Sequence, residues 1–188
     1  MKQQLLLVPI LFFCSFLAYP HGYVKSPESR SYLCRKEVNT NCGQIQYEPQ
    51  SLEGPKGFPQ QGPADGEIAS AGLSQFSPLD VQTAERWKTV PLKTRNVEFE
   101  WYLTAKHKTT KWEYFMTKPD WEPNIPLSRA QFELTPFCEF HRIETPDNTV
   151  KHNCVLPQEQ TGYQVVLAVW TIDDTSKAFY QVIDLSLD

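Results

Sequence analysis

Apolar and polar residues alternate in the second half of the chain and lose that order in the first. Segment 96–105 (NVEFEWYLTA) sets Val97, Phe99, Trp101 and Leu103 on one face, the period of a half-buried strand. Segment 179–187 (FYQVIDLSL) alternates too, with Phe179, Ile183, Leu185 and Leu187 in phase. Segment 163–171 (YQVVLAVWT) is apolar at nearly every position, as expected of a strand covered on both faces. Segment 111–117 (KWEYFMT) is rich in aromatic residues, which suit a pleated surface. Short strands separated by turn signals predict an all-β antiparallel sandwich.

The first half reads differently. Residues 47–78 carry the breakers Gly54-Pro55, Gly57, Pro59, Gly62-Pro63 and Gly66. Short helices are expected at 65–71 or 77–86, with Asp65 and Ser77 as caps and Pro78 in the first helical position. A connection this long in a compact domain usually carries function. Here it is expected to build a binding face.

Residues 1–20 (MKQQLLLVPILFFCSFLAYP) combine a basic start at Lys2 with an apolar stretch from Leu5 to Leu17 that is too short for a membrane anchor. They read as a secretory signal, leaving one domain over 21–188 in the extracellular space. Ala18 suits the −3 position, but Pro20 is a poor −1 residue. Cleavage after Ala18, followed by a proline-specific dipeptidase removing Tyr19-Pro20, would expose His21. Cys14 leaves with the signal, and Cys34, Cys42, Cys138 and Cys154 remain. An even count in an exported chain implies two disulfides. Of three connectivities, Cys34–Cys42 and Cys138–Cys154 are favoured because each closes a short local loop. A zinc site is the rival, but the chain has no Cys-x-x-Cys pair.

Composition narrows the partners. The 188 residues suit one domain, and 40% apolar content supports a core. Fifteen prolines disfavour a helical bundle. Eighteen basic against 22 acidic side chains, net −4, argue against nucleic acid. No membrane partner is expected, and a monomer is.

The histidines carry the candidate chemistry. If His21 is the free N-terminus, its α-amine and imidazole Nδ1 can chelate one metal, and a second imidazole in trans completes a three-nitrogen set. Such a tetragonal set suits Cu(II) and leaves positions open for a small molecule. His107, in TAKHKTT just past an alternating strand, is the candidate second ligand. His141 and His152 lie close to cysteines and read as ordinary hydrogen-bonded residues.

The stretches HGYVKSPESRSYLC, NCGQIQYEPQSLEGPKGFPQQGPADGEIASA, TAKHKTTKWEYFMTKPDW, LTPFCEF and AVWTIDDTSKAFYQVIDLSL together resemble the bacterial chitin-binding proteins, the chitin-active lytic polysaccharide monooxygenases of auxiliary activity family 10. The resemblance spans essentially all of 21–188. It implies a fibronectin-III or immunoglobulin-like sandwich with a long loop and short-helix insertion between the first strands, and disulfides matching the two local pairs. It implies one copper ion held by His21 and His107, with Ala105 and Phe179 restricting the axial sides. Glu53 would position the oxygen co-substrate, and Trp170 would be a buried indole near the site. Tyr47, Glu48, Pro49, Thr104 and Asp174 would contact polysaccharide. Lys177 departs from the family pattern near that face.

The implied activity is oxidative cleavage of insoluble chitin at C1, driven by an external electron donor with dioxygen or hydrogen peroxide. The alternatives are a non-catalytic chitin-binding or adhesion protein, a copper carrier, and cellulose as the substrate. No paired carboxylates recommend a glycoside hydrolase.

Overall fold

The computed structural model describes residues 21–188, the side chains of 142 and 143 excepted. The expected signal segment and Cys14 lie outside the described residues.

Strand β1 (His21–Ser26), β4 (Asn96–Ala105) and β7 (Thr149–Val155) form a three-stranded antiparallel sheet in the order β1-β4-β7. The second, six-stranded sheet runs β2 (Glu53–Pro55), β9 (Lys177–Leu187), β8 (Gly162–Ile172), β5 (Thr109–Met116), β6 (Cys138–Glu144). Strand β3 (Val90–Leu92) joins it beside β9. All pairings are antiparallel except β3–β9, which is parallel. The expected sandwich and its four predicted strands are present.

Alternation explains how the sheets meet. Val97, Phe99, Trp101 and Leu103 of β4 pack against Trp112, Tyr114, Ala168, Trp170, Phe179 and Ile183 of the larger sheet. The opposite face of that sheet, with Phe115, Val165, Leu167, Val169, Tyr180 and Val182, packs on Ile45, Leu52, Phe58, Phe76, Leu79 and Trp87 of the insertion. Strand β8 is therefore buried on both sides, which is why its sequence shows no alternation.

The insertion fills 27–95 with helix α1 (Arg30–Arg35), 3-10 helices Gly43–Tyr47 and Ser74–Asp80, and the short strands β2 and β3. The helices expected at 65–71 and 77–86 are not formed as such. Residues 65–71 are turns, and only the start of 77–86 is helical, with Pro78 inside the 3-10 helix. Gly62, Gly66 and Gly72 adopt positive φ around 65–71 and interrupt an α-helical path. Asp65 begins no helix of its own and instead accepts, at 3.0 Å, from the backbone N–H of Arg129, the first residue of a distant 3-10 helix (Arg129–Gln131). Helix α1, which the sequence reading omitted, starts at Ser29, whose hydroxyl accepts from the Tyr32 N–H at 3.3 Å.

A buried ion pair fastens the insertion to the sheet. Arg30 Nε and Nη2 donate to Asp184 at 3.0 and 2.7 Å, Nη1 to the Leu79 carbonyl at 2.8 Å, and Nη2 also to Gln82 Oε1 at 2.9 Å. The Tyr163 hydroxyl donates to Asp184 at 2.7 Å. Such a pair is tolerated in a core because its donors and acceptors are satisfied. Both disulfides form the local pairs: Cys34–Cys42 inside the insertion, and Cys138–Cys154 joining β6 of one sheet to β7 of the other.

His152 belongs to the core. Trp101 Nε1 donates to the Tyr114 hydroxyl at 3.0 Å, and that hydroxyl lies 2.7 Å from His152 Nδ1. Burial pushes the His152 pKa from 6.5 down to about 4. Between those values the unfolded chain takes up a proton that the folded chain refuses, so stability is lost as pH falls through this window. The loss totals up to about 3 kcal/mol by the acid end. Thermal melts from pH 7 to 4 are expected to show a falling Tm whose slope is shallower in His152→Gln; equal slopes would contradict this assignment.

Candidate metal centre

In the β1–β4 ladder His21 faces Ala105, the last residue of β4. His107 follows two residues later in the connection to β5, so both histidines lie at the same end of the sandwich. The Thr104 hydroxyl donates to the His21 carbonyl at 3.4 Å.

The connection carrying His107 is zipped to the β8–β9 turn. The Asp173 N–H donates to the Lys108 carbonyl at 2.9 Å, Lys108 Nζ meets Asp173 Oδ2 at 2.9 Å, and Thr110 donates to Asp173 at 3.3 Å. The Lys108 bond lowers the Asp173 pKa, and the same bond raises that of Lys108. Lys56 holds the turn from the insertion side, donating to the Thr175 carbonyl at 2.6 Å. The next residue, Asp174, is exposed and has Oδ1 3.2 Å from His107 Nδ1. A carboxylate on one imidazole nitrogen orients the ring and raises the basicity of the other.

Aromatic rings form the floor. Phe179 stands opposite Glu53 in the β2–β9 register and opposite Trp170 in β8–β9. Its ring centroid lies 6.4 Å from that of His21 and 5.0 Å from that of Trp170. Phe179 and Trp170 are fully buried. Trp170 stacks on Trp112 at 5.0 Å with planes 4° apart, and its Nε1 donates to Thr109 at 2.8 Å. Glu53 is half-buried on the adjacent edge strand.

Tyr47 ends the 3-10 helix Gly43–Tyr47 and is 78% exposed, the most open of the large apolar side chains described. Glu48 is half-buried and Thr104 exposed. Pro49 departs from expectation. It is buried, so it is not an element of an exposed face, and its carbonyl accepts from Gln181 at 3.0 Å. The Gly22 N–H donates to the Gln50 carbonyl at 3.2 Å and ties this segment to the strand bearing His21.

The sequence reading missed Gly22. A Cβ there would stand 2.6 Å from Leu103 Cδ2 and 3.2 Å from Trp170 Cζ3, so glycine is what lets β1 lie close to the core beside His21. A glycine inside the strand HGYVKS was the available signal.

The donor chemistry can be tested against a metal. Among the described residues no group of three or more His, Cys, Asp or Glu side chains could hold an ion. The four described cysteines are all in disulfides, which removes the thiolate zinc alternative. His141 is exposed beside Glu139 at 3.3 Å, and His152 is committed to the core. That leaves His21 and His107 as the candidate imidazoles among the described histidines, and the α-nitrogen of His21 could join them only as a freed amine. Two imidazoles and an amine fit a copper ion.

Comparison with known proteins shows the family. The family of lytic polysaccharide mono-oxygenases described as cellulose-degrading matches residues 21–185. The chain belongs to this family. Among solved lytic polysaccharide monooxygenases, one of auxiliary activity family 10 from Photorhabdus luminescens is 52% identical, with a TM-score of 0.88 over 89% of this chain and 99% of that one. A Bacillus amyloliquefaciens CBM33 protein solved in complex with Cu(I) after photoreduction is 42% identical, with a TM-score of 0.83 over 89% of this chain and all of that one. A curated relative, GlcNAc-binding protein A of Shewanella oneidensis, is 51% identical over 90% of this chain. The chain spans 36% of that relative's length and 40% of the Photobacterium profundum protein of the same name. In this lytic polysaccharide monooxygenase domain His21 and His107 are both half-buried, and Tyr47 is exposed.

Proposed function

We propose that residues 21–188 are a secreted, monomeric, copper-dependent monooxygenase domain that binds insoluble chitin and cleaves it oxidatively at C1. The observation that carries the reading is the convergence of His21 and His107 at one end of the β1–β4 ladder, with no third side-chain ligand among the described residues. Removal of residues 1–20 would turn the His21 backbone nitrogen into an amine and complete the set. The family match opening at residue 21 supports that boundary. Chitin as substrate is supported by relatives named for GlcNAc binding.

His21 would supply its α-amine and Nδ1, and His107 its Nε2, with Asp174 on Nδ1 fixing the ring. A bound copper ion, reduced by an external donor, would supply one-electron chemistry toward dioxygen or hydrogen peroxide. Phe179 and Ala105, both beside His21, would keep the surroundings of a held ion apolar and narrow. Glu53 would hold the oxygen co-substrate and move a proton at its carboxylate. Tyr47 would lie flat on a sugar ring, with Glu48, Thr104 and the free edge of Asp174 as polar neighbours.

Mass spectrometry of products from crystalline chitin, after copper loading and with ascorbate, tests terminus, metal and substrate together. Aldonic-acid oligosaccharides are expected. Binding without oxidised products, from protein with a verified His21 terminus, would favour an adhesion protein. Oxidised products from cellulose alone would move the substrate. Tight copper binding without polysaccharide affinity would indicate a carrier. Tyr47→Ala is expected to weaken adsorption about 10-fold, since one aromatic contact contributes on the order of 1–2 kcal/mol, while copper affinity is unchanged. An unaltered binding isotherm would remove Tyr47 from the face.

A further inference from the structure

The core-facing row of β9 reads Phe179, Gln181, Ile183, Leu185, Leu187, and Gln181 is the one polar member. It is fully buried. A primary amide in such a row is costly unless its bonds are made, and these are. Ser31 Oγ donates to Gln181 Oε1 at 2.7 Å. Gln181 Nε2 donates to the Pro49 carbonyl at 3.0 Å and reaches the Gly22 carbonyl at 3.5 Å. One side chain thus joins four pieces of chain: helix α1, the segment after Tyr47, the strand beginning at His21, and the strand carrying Phe179.

The partners define the role. Gly22 follows the residue whose nitrogens are proposed to bind copper. Pro49 is two residues from Tyr47. Phe179 is two residues from Gln181 along β9. The same segment is also tied to β1 by the Gly22 N–H, which donates to the Gln50 carbonyl at 3.2 Å. Neighbouring Gln50 Oε1 is buried with no hydrogen-bond partner among the described residues. An apolar residue at 181 would satisfy the packing of the row, remove the side-chain donor to the Pro49 carbonyl, and leave the Ser31 hydroxyl only its 3.2 Å contact with Ser29 Oγ.

We infer that Gln181 is a positioning residue: its buried amide fixes the polysaccharide-binding segment around Tyr47 relative to the metal-binding N-terminal strand. It touches neither substrate nor metal. This rests on the reading proposed above for His21 and Tyr47.

The test compares Gln181→Leu and Ser31→Ala with Gln164→Leu. Gln164 is a matched control, a fully buried amide whose Oε1 accepts from Thr117 at 2.6 Å and which pairs with Leu185, toward the opposite end of the β8–β9 ladder from the Trp170–Phe179 pair. Three readouts are taken: amide hydrogen exchange at Gly22, adsorption of the metal-free proteins to chitin, and the Cu(II) electron paramagnetic resonance spectrum. In Gln181→Leu, exchange at Gly22 is expected to quicken about 10-fold, corresponding to the net worth of a lost hydrogen bond. Adsorption is expected to weaken by a similar factor, and the Cu(II) spectrum to broaden or split. Ser31→Ala should move the same readouts less, and it carries the test if Gln181→Leu does not fold. Gln164→Leu should move none of them at equal loss of Tm. Wild-type values in both Gln181→Leu and Ser31→Ala, or equal changes in the control, overturn the inference. A wild-type protein that shows no nitrogen-ligated Cu(II) spectrum overturns the functional reading instead, and Gly22 exchange still decides whether Gln181 holds the two segments together.

Discussion

Replacing His107 with alanine is expected to abolish copper binding and chitin oxidation together while leaving adsorption to chitin nearly intact. The proposed donor set has three nitrogens, and His107 alone approaches from outside β1. Its loss leaves the bidentate His21 terminus, which any accessible amine-imidazole pair could match. Even an outer partner of a metal ligand is worth 10–100-fold in affinity, so the ligand itself should cost more than about 100-fold by isothermal titration. Asp174→Ala, which removes the carboxylate 3.2 Å from His107 Nδ1, should fall in that lower range. Adsorption should change by no more than about twofold, the usual reach of a surface substitution, because Tyr47 lies on a different segment. Normal yields of aldonic acids from His107→Ala would show the site assignment to be wrong.

Gly22→Ala is expected to damage the site without touching a ligand. The added methyl would stand 2.6 Å from Leu103 Cδ2, 3.2 Å from Trp170 Cζ3 and 3.3 Å from the Tyr102 carbonyl. Leu103 is fully buried, and Trp170 is held by its stack on Trp112 and its bond to Thr109, so neither can swing clear. Two effects oppose each other. Removing a glycine restricts the unfolded chain and favours folding by about 0.4–1 kcal/mol where the backbone is compatible. Overpacking a close-packed core costs about 1–3 kcal/mol, and it should win. Tm should fall by roughly 2–8 °C. The strand can relieve the contact only by lifting away from β4, which carries His21 with it, so copper affinity should fall as well. An unchanged Tm with unchanged copper affinity would mean that β1 is less tightly seated than the geometry indicates.

Much of the sandwich was legible because burial imposes a period. The alternation of β4 and β9 and the unbroken apolar run of β8 follow from one-sided and two-sided cover. The edge strands β6 and β7 were not legible. Their residues CEFHRIE and TVKHNCV mix charge with apolar positions, and the disulfide at Cys138–Cys154 supplies cohesion that alternation does not advertise. The short helices were misplaced because positive-φ glycines, not caps, decide the path between 57 and 72. His21 and His107 were visible as residues, but their nearness depends on the β1–β4 register, which a single sequence does not display. Pro49 was assigned to the face through resemblance, and burial of its ring corrects that. Gly22 matters through the side chains it admits, and Gln181 through carbonyls far away in the chain.

The two separate cores on either side of the larger sheet have an evolutionary consequence. The insertion packs on one face of β8 and β9 and is fastened there by the Arg30–Asp184 pair, whereas Trp170 and Phe179 occupy the other face. Distant sites with no shared partners respond nearly independently to mutation. Substitutions on the outer surface of the insertion, away from Ser31, Pro49 and Glu53, should therefore accumulate without disturbing the Trp170–Phe179 side, whereas changes at those three residues are passed to it through Gln181 and the β2–β9 ladder.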